Sequence, residues 1–387
     1  MKKNIFIVSL LIILASCSGI RVVNVKYADK INKNYFIYAL PKNIVVADIE
    51  ITEIRTLRGP FYAYAEKYMG ITGAPKSDKI EYYISNSDLS LASEADSGNY
   101  YFIFPKCKSN IKNVSLNSQN IILSINGQDQ EQLSVSNNNI LSKITTFDTK
   151  PFPQSVFTEL SKNDYLKEHI DTVYKQIKVD TNWVRVPVQK KVIDTISFEG
   201  KAKEAAHHIM RLRKRLFKLI SGAYNKLPDV NSADVIIKEL KKEEEEYLSL
   251  FIGKTFTRTI HHRFYYTPSL GIENKKTISF LHPDKGIVAD KSVKTLPVIL
   301  EIEQTNNLSQ LDTVISKYRK TSKNQGIVYR IPEMANIKLL LGNTLLIEKQ
   351  LPIAQYGVIN SLPSKILKGK KRSIEFDPLT GNIKKIE

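Results

Sequence analysis

The stretch from Lys201 to Gly253 constrains this chain more than any other, because its apolar residues recur at helical spacing over two successive arms. The first arm, KAKEAAHHIMRLRKRLFKLI, sets Ala202, Ala205, Ala206, Ile209, Leu212, Leu216, Leu219 and Ile220 on one face. The second, ADVIIKELKKEEEEYLSLFI, does the same with Ala233, Ile236, Ile237, Leu240, Tyr247, Leu248 and Phe251. Gly222 and Gly253 follow the arms, where a left-handed C-terminal turn favours a residue without Cβ. Asn231 or Ser232 is placed to cap the second arm. The spacing predicts an antiparallel helical hairpin.

Charge divides the arms. Arg211, Arg213, Lys214, Arg215 and Lys218 make the first basic, and Glu239 with Glu243 to Glu246 makes the second acidic. Antiparallel arms so charged neutralise each other, so the basic run carries no nucleic-acid reading; Arg211, Lys214, Arg215 and Lys218 remain as a candidate interaction surface. At 100° per residue Arg213 and Glu244 fall inside the apolar stripes. A lone buried charge is costly, so the expectation is that both are buried and form a structural ion pair.

On either side the pattern is β. NIVVADIEITEI, IEYYISNSDLSL and NYYFIF precede the hairpin; KTFTRTIHHRFYY, LPVILEIEQ, GIVYRIP and ANIKLLLGNTLLIEKQLPIAQYGVI follow it. Within Gly59 to Ile71 a short helix is expected, ended by Gly70. Asn126-Gly127 signals a β-hairpin turn, and 132–144 a second, polar-tipped hairpin. Residues up to Ile170 read as loop or helix, followed by a strand containing Trp183. A Tyr-x-apolar-Pro phrase recurs at Tyr38 to Pro41 and at Tyr329 to Pro332, which would suit two related β domains. The expected fold class is α+β, with two β-rich, sandwich- or barrel-like parts flanking the hairpin. The expected segments are a signal peptide over 1–16, a linker over 17–30, β-rich domains over 31–190 and 254–387, and the hairpin within 191–253.

The first residues concern location. Lys2 and Lys3 precede an apolar run from Ile5 to Leu14, too short to span a bilayer as a mature helix. Leu14-Ala15-Ser16-Cys17 then matches the lipobox of bacterial lipoprotein signals, which makes Cys17 the lipidation site. Ser18 rather than Asp follows it, and no carboxylate appears before Asp29. By known sorting rules this favours the outer membrane, on its periplasmic face. Cleavage before Cys17 leaves 371 residues with a net charge of +16, enough for two domains. Once Cys17 is acylated, Cys107 has no partner for an intramolecular disulfide.

Motifs for chemistry are wanting. Gly253-Lys254-Thr255 lacks the first glycine of a phosphate-binding loop, since Leu248 stands there, and a strand rather than a helix follows. The pairs His207-His208 and His261-His262 lack the spacing of a zinc helix. No carboxylate spacing nominates an acid–base pair. The expectation is no enzyme, no cofactor and no metal. The net charge leaves an anionic envelope ligand, lipopolysaccharide phosphate or peptidoglycan, as the alternative to a protein partner; a glycan hydrolase comes third. Only 12 of the 57 basic residues are Arg, which argues against a dedicated phosphate site.

Together the lipobox and the phrases YALPKNIVVADIEI, PFYAYAEKYMGI, VRVPVQKK, LRKRLFKL, EEEYLSLFIGKT, VYRIPE, LPIAQYGVINSLP and IEFDPLTGNIKKI resemble the domain of unknown function 4831 family. The resemblance runs from Tyr35 nearly to the C-terminus and implies an envelope lipoprotein of the Bacteroidota. It implies no activity and offers no catalytic residues.

Overall fold

A computed structural model describes residues 20–28, 34–105, 111–127, 145–148, 157, 166–179, 182–223, 230–270, 275–305, 308, 311, 313–315, 326–367 and 372–387. Cys17, Cys107 and the hairpin expected over 132–144 lie outside these residues. The chain forms two compact units. Unit 1 takes residues up to Ile51, Tyr83–Asp148 and Thr259–Glu387; unit 2 takes Thr52–Tyr82 and Thr149–Arg258. Both units are assembled from separated stretches of the chain. The division falls within three long strands, β2 (Phe36–Leu57), β3 (Lys79–Pro105) and β9 (Lys254–Tyr266), each of which gives residues to both units. A boundary inside a continuous strand leaves no linker composition to read.

β2, β3 and β9 share a five-stranded sheet with β1 (Ile20–Asn24) and β6 (Thr145–Asp148), in the order β1-β3-β2-β9-β6. β1 runs antiparallel to β3, with Ile20 opposite Pro105. A four-stranded sheet joins β4 (Val114–Leu116), β5 (Ile122–Ile125), β15 (Ile374–Phe376) and β16 (Ile383–Ile386) in the order β16-β15-β5-β4. A further sheet orders β11 (Gly286–Val288), β10 (Lys275–His282), β12 (Leu296–Gln304), β13 (Val328–Leu341) and β14 (Thr344–Ser361). Unit 1's core gathers Tyr38, Leu40, Ile103, Ile122, Ile125, Val328, Ile374 and Phe376, so residues at both ends of the chain close it.

The two Tyr-x-apolar-Pro phrases meet inside this unit rather than marking separate domains. The Tyr38 hydroxyl donates to the Val328 carbonyl and accepts from the Val328 N–H, each at 3.0 Å. Arg330 Nη1 donates to the Pro41 carbonyl at 2.6 Å and Nη2 to Asp96 Oδ2 at 2.7 Å. Pro41 does not end its strand; β2 runs on through it. The turn between β4 and β5 uses Asn117 and the left-handed Asn120 rather than Asn126-Gly127. Asn126 is itself left-handed at φ 54°, but it follows β5, and its amide donates to the Arg372 carbonyl.

Unit 2 is built on the hairpin. The short helix α1 (Ala65–Met69) ends at Gly70, as its pattern predicts. α2 (Phe198–Ile220) starts at Ser197, whose hydroxyl accepts from the Gly200 N–H at 3.0 Å, and α3 (Val230–Ile252) returns antiparallel to it. Ala202, Ala205, Ala206 and Ile209 of α2 pack with Leu250 and Phe251 of α3 and with Phe61 and Ala65. Two glycines let backbones touch here. A Cβ on Gly59 would stand 2.3 Å from the Leu250 carbonyl oxygen, and one on Gly253 2.1 Å from that of Leu57. Gly253 also needs its φ of +81°.

The apolar stripe of α2 is buried only as far as Leu216. Ile220, expected on the same face, is exposed, because α2 outruns the core of Phe61, Leu250 and Phe251 against which its first half packs. The segment read as loop and one strand is a two-stranded ribbon, β7 (Leu166–Val179) with β8 (Asn182–Thr195). A two-residue connection at 180–181 without glycine gave no hairpin signal.

The helical hairpin as candidate functional site

The hairpin combines the expected basic run with an open groove. Lys203, His207 and Arg211 stand four residues apart on α2, one above the other on the helix surface. With Glu204, Ala205, His208 and Tyr247 they line a groove of about 670 Å³. The His208 ring lies 4.2 Å from the Tyr247 ring, centroid to centroid, and its Nε2 is 2.9 Å from Glu243 Oε1. Burial, together with the Glu243 charge, pushes the Tyr247 phenol up, so it meets the groove as a neutral hydrogen-bonding group. Three basic side chains over a tyrosine can receive an anionic group, while Glu204 and Glu243 limit how much negative charge the groove tolerates.

Arg213 Nε donates to Glu244 Oε1 at 2.7 Å. The expected burial is corrected for Arg213, whose side chain keeps 46% of its surface in water, whereas that of Glu244 keeps 19%. The long guanidinium stem lets Arg213 leave the stripe that its Cα position dictates and reach its partner at the rim. Arg211, Lys214, Arg215 and Lys218 are all exposed. Arg211 belongs to the groove, whereas Lys214, Arg215 and Lys218 lie beyond it toward the connection between the arms. Phe217 and Ile220 there are each 70% exposed, and Val235 and Ile236 of α3 are 62% and 40% exposed.

The histidine pairs separate as adjacent residues on helix and strand must. His207 lines the groove; His261 Nδ1 lies 3.4 Å from Glu50 Oε1, while the His262 ring is buried. Among the described residues no three His, Cys, Asp or Glu side chains converge as a metal would require. Lys254, of the Gly-Lys-Thr triplet, opens β9 and donates to Glu246 Oε2 at 2.6 Å.

Sequence reasoning missed one buried charge cluster in unit 2. Glu53 is fully buried, with Oε2 accepting from Arg258 Nε at 2.5 Å and Oε1 from Arg55 Nη2 at 3.3 Å. Burial first and the Glu53 charge second push the neighbouring Tyr82 phenol up. With an arginine on each oxygen this carboxylate is a structural anchor rather than an acid or base in waiting. The signal was present: Ile49, Ile51 and Glu53 share one parity of a strand, so Glu53 sits in the inward phase.

No curated protein and no solved structure matches the chain. The family described as Domain of unknown function (DUF4831) matches residues 35–170 and 167–384, nearly everything after the N-terminal segment, and the chain belongs to that family.

Proposed function

We propose that the protein is an outer-membrane lipoprotein, anchored through Cys17 and facing the periplasm, that serves as a structural or protein-interaction module in envelope assembly or maintenance. The observation that carries the interaction reading is the connected end of the helical hairpin. Phe217, Ile220, Val235 and Ile236 stand in water there, next to Lys214, Arg215 and Lys218. Apolar side chains of that size grouped within a cationic rim fit a protein surface better than a small solute. The anchor rests on the lipobox, and the periplasmic face on the absence of acidic residues after Cys17.

The test is a photo-crosslinking amino acid at position 217 in the full chain, in its native envelope, with a second at the exposed Glu239 as control. Adducts with one envelope protein are expected at 217 and not at 239. Equal labelling at both positions would remove the hairpin end as an interface. Cys17→Ala should release the protein from the membrane fraction, and unchanged partitioning would mean a different anchor.

A second reading is supported by the groove itself, where Lys203, His207 and Arg211 form one basic row over Tyr247. It makes the hairpin a binding module for an anionic envelope ligand. Lys203→Glu with Arg211→Glu should then abolish retention on lipopolysaccharide or peptidoglycan, and retention unchanged by both would dismiss it.

A further inference from the structure

The β7–β8 ribbon is an incomplete sheet. Each strand has 14 residues, and among the described residues neither pairs with any other strand. Two strands alone are marginal in water; three or more with an apolar face are needed for a lasting sheet. The ribbon nonetheless exposes Ile170, Tyr174 and Trp183 at 66% each, with Ile177, Val184 and Val186 also in water. These residues have the composition of a covered sheet.

Its two edges differ. The two-residue connection closes on Val179 opposite Asn182, which makes that pair and every second pair before it the hydrogen-bonded ones. The odd-numbered residues of β7 therefore bond to β8, and Ile170, Thr172, Tyr174 and Gln176 turn their N–H and C=O groups outward. On β8 the outward set includes Pro187, opposite Tyr174, which has no N–H to offer. Pro187 blunts the β8 edge, as edge prolines do. The β7 edge is uninterrupted.

We infer that β7 pairs antiparallel with β7 of a second copy of this chain, about a two-fold axis at Val173. The charge pattern selects both the partner and the register. An axis at Asp171 would set two carboxylates face to face, and one at Lys175 two ammonium groups. An axis at Val173 sets Asp171 of each copy opposite Lys175 of the other, so the complementary pair occurs twice. The hydrogen-bonding parity agrees, because Thr172 then faces Tyr174 and Ile170 faces Gln176, all outward-bonding positions. Within each ribbon Val173 already faces Val188, and Asp171 faces Lys190. The row across the axis becomes four valines, and in each row beside it Lys190, Asp171 and Lys175 of the second copy alternate in charge before ending on Val186. A heterologous strand would have to reproduce this palindrome, whereas a second copy carries it already. The result is a four-stranded sheet ordered β8-β7-β7-β8 across the two copies. The inference does not depend on how the chain is anchored.

The test is Val173→Cys in the full chain, oxidised in native membranes and in the purified protein. Across the axis the two Cα atoms of a non-hydrogen-bonded pair lie about 4.5 Å apart, within disulfide reach. Val173→Cys should give a covalent dimer. Ile177→Cys should not, because its two copies are offset by eight residues, about 26 Å. In the Val173→Cys background, Asp171→Lys alone or Lys175→Asp alone should weaken association about tenfold. Combining them restores opposite charges and should restore the dimer, which also separates misfolding from lost pairing. No dimer from Val173→Cys, equal crosslinking from Ile177→Cys, or a yield indifferent to the charge reversals would each overturn the proposal.

Discussion

Glu53 accepts a 2.5 Å hydrogen bond from Arg258, six residues past the end of α3, in a place where the carboxylate has no contact with water. The arrangement is asymmetric in its consequences. Arg258→Met takes one of its two arginines from a buried carboxylate and should cost about 3–5 kcal/mol, while Glu53→Leu with Arg258→Met should cost much less. Denaturant midpoints of the three variants decide it, and a loss under about 1 kcal/mol from Arg258→Met would show the charge to be satisfied by other means.

The Arg213–Glu244 pair should behave differently although its distance is similar. Arg213 is nearly half exposed, so water screens the attraction. A double-mutant cycle with Arg213→Met and Glu244→Leu should return a coupling of about 1 kcal/mol or less. A coupling of about 3 kcal/mol would mean that the pair is desolvated in solution.

Gly59→Ala should destabilise the protein by about 1–3 kcal/mol, because the new methyl group meets the Leu250 carbonyl, which is backbone and cannot swing away. Gly73→Ala is the control. Nothing lies within 4 Å of a Cβ there, and the change should stay within about 0.5 kcal/mol. Thermal melts of the two variants, with equal losses, would remove the close contact between Gly59 and α3.

Acid should weaken the protein in two steps. Burial first, and the charge of His261 second, hold the His262 imidazole below its ordinary value. A depressed histidine contributes stability above the unfolded value of about 6.5, and that stability is lost as pH falls through the folded value. Burial alone would raise the Asp96 carboxyl, but hydrogen bonds from Asn99, Arg330 and Gly98 outweigh it and hold the group below the usual range. Its contribution is present above about 3.9 and disappears in stronger acid. Urea midpoints between pH 8 and 3 should fall in both windows, and His262→Leu should flatten only the first. A profile unchanged in that variant would assign the upper step to another group.

The parts of this structure legible in sequence are those with local causes. Helical spacing and two glycines gave α2 and α3 close to their ends, and the Tyr62 to Gly70 pattern gave α1. What failed depends on contacts between distant residues. Arg330 and Asp96 meet across 234 positions, and no local pattern announces that Pro41 belongs beside them. Ile220 carries the same periodicity as Ile209, yet among the described residues Ile209 is covered and Ile220 is not. In the candidate site, the basic row was legible residue by residue. The groove was not, since it needs Tyr247 from the other arm.

The interleaving of the two units has a consequence during synthesis. Unit 2 has its last residue once Arg258 has been made, and its helices can then close on Phe61 and Ala65. Unit 1 must wait for Ile374 and Phe376 to reach Tyr38, more than three hundred residues behind them, before its core exists. Until then β2 is half engaged: Thr52 to Leu57 have their unit, while Phe36 to Ile51 hold apolar strand residues with nothing to cover them. A ribosome or translocon that pauses after Arg258 therefore holds a chain already folded in its middle and adhesive at its beginning.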